Sequence, residues 1–234
     1  VTMYSEGVSD FFYDDFRKLN IPLYHLHLKS WRDIETFRGL RQIIRRHRID
    51  IAHSHYGALE FFGTLYARLA GVRHCVYTKH NLRFKTGLSF KLGRILLNRI
   101  LTERILSISQ TVTEHLVDSE YASPSRIRLV YNPVENPKIP NAAHQASIKQ
   151  KWQIPTGQFI IGNTSRFDSS KGFDIFYLAL KYLQKMGIPV HTVVMGNESS
   201  QMEHQRLISE NDLHELITIL PYQKDLSPVY SILD

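Results

Sequence analysis

The stretch that decides the fold is FIIGNTSRFDSSKGFDIFYLALKYL, residues 159–183. Phe159-Ile160-Ile161 is an apolar run of the length and type of a buried strand. A polar loop follows, with Asn163, Thr164, Ser165, Arg166, Asp168, Ser169, Ser170, Lys171 and Gly172. Phe173, Phe176, Tyr177, Leu180 and Leu183 then fall at i, i+3, i+4, i+7 and i+10, one face of an amphipathic helix. Strand, polar loop and helix in this order present a site at the carboxyl end of a strand in an α/β sheet. Arg166 and Lys171 bracket the helix start, whose N–H groups and positive dipole end suit a phosphate. The ordinary alternative is a solvated loop with two surface charges.

The same pattern repeats upstream. Residues 1–9 open on a short apolar segment, and SDFFYDDFRKLN reads as a helix. Ile21 to Leu28 alternates like a strand, with His25 and His27 on one face and no third metal-ligand type beside them. Residues 31–48 form a helix with Ile34, Phe37, Leu40 and Ile44 inward and Arg38, Arg41, Arg45 and Arg48 as a stripe, which reads as a solvated face. IDIAHSH ends a strand on His53, Ser54 and His55, and Gly57 opens the next helix. VRHCVYTKHN is a strand delivering Thr78, Lys79, His80 and Asn81. Residues 88–102 are helical, 104–109 a strand, 111–121 a helix, and 126–134 a strand ending at Asn132-Pro133. Such β–α alternation predicts a mostly parallel sheet with helices on both faces.

From Asn136 to Gly157 the text turns to prolines and one short helical stretch, Ala142 to Trp152. The domains are therefore placed at 1–139 and 158–234, with 140–157 as the connection. In the second, strands are expected at 188–197, ending on Gly196-Asn197, and at 216–222. Helices are expected over 199–210 and from Leu226 onward.

At 234 residues, 43% hydrophobic and 22% charged, the composition is that of a globular protein. The charge is asymmetric: residues 1–139 hold 21 Lys/Arg against 13 Asp/Glu, and residues 140–234 hold 8 against 9. The first part favours an anionic surface, whether nucleic acid, acidic lipid or a phosphorylated substrate. No zinc finger or aromatic RNA-binding pattern is present, so no nucleic-acid partner is expected. The single cysteine, Cys75, reads as a small buried residue and fits a reducing compartment. No run approaches a membrane span, and the opening residues lack a signal-peptide pattern; the expectation is a cytoplasmic protein.

Taken together, IDIAHSH, VYTKH, RLVYNPV, SRFDSSKGFD and VVMGNE, in that order, resemble the motifs of glycosyltransferase family 4. The resemblance implies an α/β fold of two Rossmann-like domains facing a cleft, the GT-B arrangement. It implies a retaining transfer from a UDP-, GDP- or ADP-linked sugar to a glycan or lipid-linked acceptor. Arg166 and Lys171 would hold the donor diphosphate, with Gly196, Asn132 and Tyr222 also on the donor. His80 would be catalytic, and His53, His55 and Asn81 would line the acceptor side. No cofactor or metal is implied, and there is no Asp-x-Asp motif. The family's first strand and its Glu-x7-Glu segment have no counterpart here, so a chain truncated at both ends is expected. Proline follows Asn132 where glycine is usual, and Ser165 stands where the family has glycine. An inactive relative that binds only nucleotide or a partner is the alternative reading. Residues 83–99 mix five basic with seven large apolar residues, which suits either peripheral contact with anionic lipid on the membrane's inner face or a core helix with a basic outer side.

Overall fold

The computed structural model describes residues 2–4, 13–26, 33–55, 57–82, 87–134, 136, 140–165, 167, 171–196, 198–223 and 225–234. The chain divides into two compact units, Val1–Pro133 and Val134–Asp234, both built on parallel strands.

In the first unit, β1 (Thr2–Tyr4) pairs in parallel with β2 (Leu23–His25), and α1 (Tyr13–Lys18) lies between them in sequence. A second sheet runs β3 (Ile51–His55), β4 (His74–Lys79), β5 (Arg104–Ser107) and β6 (Ile127–Leu129), all parallel and in that spatial order. Leading into β3, α2 (Ile34–His47) starts where the Asp33 carboxylate accepts the Thr36 N–H at 3.0 Å. It buries Leu40, Ile43 and Ile44, while Arg38, Arg41, Arg45 and Arg48 stay exposed. The other helices are α3 (Phe62–Leu69), α4 (Leu88–Leu96) and α5 (Gln110–Asp118). A 3-10 turn, Gly57–Glu60, precedes α3 where the sequence predicts continuous helix.

Strands laid down side by side in chain order, joined by right-handed crossovers, send their connecting helices to one face. Accordingly Tyr77 and Ile105 pack with Leu97, Val112, Leu116 and Ile127, and Cys75 is buried with Tyr66 and Ala67 of α3 and Leu40 and Ile44 of α2. In the second unit helices lie on both faces of the sheet. Strand β6 is shorter than predicted. Val130 still donates to the Ser107 carbonyl at 2.9 Å, but Asn132 lies beyond the ladder, next to a proline that has no N–H to give it.

The second unit has β7 (Phe159–Asn163), β8 (Val190–Gly196) and β9 (Ile217–Pro221), parallel and in that order. Successive side chains of a strand point to opposite faces, and β8 shows it plainly. Val193 and Met195 join Ile160, Leu220, Val229 and Ile232. Val194 joins Phe173, Tyr177 and Leu180 of α7 (Phe173–Lys185) and Ile208 of α8 (Glu198–Asn211), with Leu213. Against the first face lie α6 (Ala142–Lys151) and α9 (Ser227–Tyr230).

Residues 140–157, read from the sequence as a connection, lie within the second compact unit. Ile148 of α6 and Ile154 just after it are buried in the core of the second unit, with Trp152 packed beside them. Burying an isoleucine is worth about 1.5–3 kcal/mol, so the segment belongs to the domain it precedes. Polar positions and prolines dominate its text because only one narrow side of α6 faces inward.

Candidate active site

In the first unit the strand ends gather three histidines. His53 Nε2 lies 2.8 Å from the Thr78 hydroxyl, and His55 Nδ1 lies 3.0 Å from His80 Nε2. The rings of His53 and His55 are 4.2 Å apart, and those of His55 and His80 are 5.3 Å apart. A ring-nitrogen pair at 3.0 Å needs one donor and one acceptor, so His55 and His80 share a single bridging proton. Burial pushes all three imidazoles below the ordinary value of 6.5; His55 lowers His53 and His80 further, and Glu60 opposes the shift at His80. The cluster is therefore neutral at pH 7, able to hydrogen-bond without carrying charge. Asn81 follows His80 directly and is exposed; Asn132 lies past the end of β6 and is also exposed. Among the described residues no three His, Cys, Asp or Glu side chains are gathered so as to hold a metal ion.

Lys79 does not join its neighbours Thr78 and His80 at this cluster. Strand alternation turns it to the opposite face, where it is completely buried. There its Nζ lies 2.7 Å from a Glu120 carboxylate oxygen and 3.3 Å from Glu60. Arg94 bridges the same two carboxylates, pairing with Glu120 and lying 3.3 Å from Glu60. Arg94 also donates to the Tyr77 hydroxyl at 3.1 Å, and that hydroxyl donates to Asn98 at 2.6 Å. Two cations and two carboxylates thus balance inside the unit, and they hold the end of β4 from below. The sequence reading grouped Lys79 with Thr78, His80 and Asn81 at the strand end and did not reach Glu60 or Glu120. The available signal was the alternation of β4 itself.

In the second unit, the loop after β7 begins with the Asn163 side chain accepting from the Ser165 N–H at 3.0 Å and its hydroxyl at 2.6 Å. Phe167 then turns inward, stacked on Phe173 at 4.9 Å and edge-on to His204 at 4.4 Å. This anchor was missed, although a lone aromatic inside a polar loop is a legible cue. Lys171 is exposed, and Gly172, at φ 64°, is the N-cap of α7 and offers no side chain to its open N–H groups. Only a residue without Cβ takes that left-handed turn freely. Gly196 ends β8 opposite Pro221, and the exposed Tyr222 follows β9. Lys171, Gly196 and Tyr222 therefore all stand at carboxyl ends of one parallel sheet. Arg166 lies outside the described residues, as does His27.

A family model settles the affiliation: that of Glycosyltransferase Family 4 matches residues 1–136. The chain belongs to this family. A second model, Glycosyl transferases group 1, matches residues 144–234. Among curated family relatives, an Escherichia coli UDP-Gal:alpha-D-GlcNAc-diphosphoundecaprenol alpha-1,3-galactosyltransferase is 22% identical over 240 residues, covering 98% of this chain and 62% of that protein. The GPI3 subunit of a Saccharomyces cerevisiae phosphatidylinositol N-acetylglucosaminyltransferase is 26% identical over 200 residues, covering 81% of this chain and 43% of its own length. Among solved structures, a Rickettsia africae glycosyltransferase superposes with a TM-score of 0.78 at 19% identity, covering 99% of this chain and 62% of that one. Anabaena Alr3699/HepE in complex with UDP-glucose gives 0.81 at 16% identity, covering 99% and 64%. The chain thus spans under two thirds of the length of each relative, and these likenesses fix its fold as that of GT-B glycosyltransferases.

The histidines also set how stability depends on pH. His191 and His204 in the second unit are buried and, like the strand-end three, are pushed below 6.5 by that burial. The unfolded chain therefore binds these protons more tightly than the folded one. Stability is fully present above 6.5 and falls as pH drops below it toward the depressed folded values. The thermal midpoint should be lower at about pH 5 than at about pH 7.5. Equal midpoints would show that the imidazoles titrate normally in the fold.

Proposed function

We propose that the chain transfers a sugar from a UDP-linked donor to a lipid-linked glycan acceptor, with retention of anomeric configuration. The observation that carries the reading is the start of α7, where Lys171 adjoins the N-terminus of a 13-residue helix whose N-cap, Gly172, supplies no side chain. Departure of the nucleotide concentrates negative charge on the β-phosphate. Preorganised cations and helix N–H groups stabilise that charge as it develops, the role assigned to Lys171 and Arg166. With charge supplied this way, the transfer needs no divalent metal. Gly196 lets backbone approach the donor, and Tyr222 lies by the base. His80, uncharged, offers a hydrogen bond to the acceptor hydroxyl, with His53 and His55 fixing its orientation. UDP is favoured because it is named with the E. coli relative and with the Anabaena complex. The diphosphoundecaprenol and phosphatidylinositol named for the relatives support a lipid-linked acceptor, and with it work at the inner face of a membrane.

The test is a thermal-shift panel of UDP, GDP, ADP and their sugar conjugates on wild type and on Arg166→Ala/Lys171→Ala. UDP at about 100 times its dissociation constant should stabilise the wild type by about 2.7 kcal/mol and leave the double variant unmoved. An equal shift in both would remove these cations from the donor site. Release of UDP from a UDP-sugar would then separate transfer from binding alone.

A further inference from the structure

The helical segment formed by α4 and the π-helical turn that continues it, Leu97–Leu101, buries Leu97 in the core yet leaves a second apolar side uncovered. Its buried side carries Arg94, 5% exposed, and Asn98, 0% exposed. Its outward side carries Leu88, 72% exposed, Leu92, 57%, and Ile100, 66%. Leu88 and Leu92 are neighbours at i, i+4. The π turn takes up one extra residue, so Ile100 follows Leu92 after eight positions where a plain α-helix would use seven, and the three form one stripe. A helix ordinarily turns such a stripe to the core; here Arg94, Asn98 and Leu97 take the inward positions and Leu88, Leu92 and Ile100 are left outside.

The charges around the stripe select what can cover it. Lys91 is exposed, with its Nζ 5.2 Å from the Tyr121 ring centroid. Arg99 is exposed too and donates to the Tyr121 carbonyl at 2.9 Å. Both cations thus flank the stripe beside one anchoring residue. Residues 51–100 hold eight Lys or Arg and one acidic residue; Lys79, Arg94 and Glu60 are buried together in the ion network, while Arg68, Arg73, Lys91 and Arg99 reach the surface. A second copy related by a two-fold axis would set this basic region against itself, and like charges facing each other cost affinity. A surface that is apolar within and anionic at its boundary fits both features.

We propose that the outward face of α4 and its π turn is a membrane-docking surface, with Leu88, Leu92 and Ile100 entering the acyl boundary of an anionic bilayer and Lys91 and Arg99 pairing with its headgroups. The proposal names the contact for a lipid-linked acceptor, but it stands on this face alone and its test needs no donor or turnover.

The experiment is co-sedimentation of the whole chain with vesicles of phosphatidylglycerol and, separately, of phosphatidylcholine. Wild type should sediment with the anionic vesicles and be released by salt. Lys91→Gln/Arg99→Gln should weaken binding by about fivefold per charge. Leu88→Ser/Leu92→Ser should abolish it, with far-UV circular dichroism and thermal midpoint unchanged because both side chains are exposed. No sedimentation with phosphatidylglycerol overturns the proposal, as does binding that survives the leucine substitutions. A dimer of the wild type that Leu88→Ser/Leu92→Ser dissociates would assign the face to a second copy and also overturn it. A positive UDP shift with no vesicle binding would leave the donor reading intact and reject only this one.

Discussion

Glu120→Ala is expected to lower the stability of the first unit by about 3–5 kcal/mol, the cost of stranding buried charge. Glu120 has no exposed surface and accepts the charge of both Lys79 and Arg94. Alanine leaves two cations facing the single carboxylate of Glu60, with no water to screen them. At a few degrees per kcal/mol, the thermal midpoint should fall by about 10 °C. Removing one charge of each sign is a different matter. Arg94→Met/Glu120→Leu leaves Lys79 with Glu60, so charge still balances, and the double variant should be more stable than Glu120→Ala alone. Amide exchange within β4 and β5 would report both results on the unit concerned. A loss under about 1 kcal/mol for Glu120→Ala would mean that water reaches the network.

Phe173→Ala should cost about 3–5 kcal/mol in the second unit, as large aromatic truncations in packed cores do. Phe173 is nearly fully buried, stacked on Phe167 and edge-on to His204 at 4.8 Å. Its loss also removes the ring on which Phe167 stacks. The informative companion is Phe167→Ala. Phe167 is only half-buried, so stability should change less, while the UDP-induced shift should be lost with the loop's preorganisation. If Phe167→Ala kept the full UDP shift, the aromatic anchor would have no part in shaping the donor loop. The two variants are to be read by differential scanning calorimetry with and without UDP.

Much of this was legible from residue order. Apolar runs of β type alternating with helical periods located all the principal strands from β3 onward, because a parallel sheet buried by helices writes itself as such runs. The strand-end positions of His53, His55 and His80 followed directly. What escaped depends on contacts between distant residues. Arg94 reads like Lys91 and Arg99 in a stretch of mixed charge; only the carboxylates of Glu60 and Glu120, 34 and 26 residues away, draw it inward. Tertiary pairing also decided Lys79. Local composition at 140–157 does not announce the burial of Ile148 and Ile154. Gly162 is a further case. A Cβ there would come within 2.5 Å of Leu233, so its small size admits a side chain from 71 residues on, which no local pattern reveals.

The alternation at the end of β4 has a consequence for how the protein tolerates change. Thr78 and His80 belong to one face and Lys79 to the other, so each face depends on the strand's phase. Deleting one residue inside β4, ahead of Lys79, would move the side chains beyond it across the sheet. Lys79 would be carried out of its carboxylate cage and His80 into it, spoiling folding and chemistry in a single event. Substitution and length change therefore act under different rules here. Point changes at half-buried His80 should leave the scaffold standing, whereas a length change inside the paired strand should not.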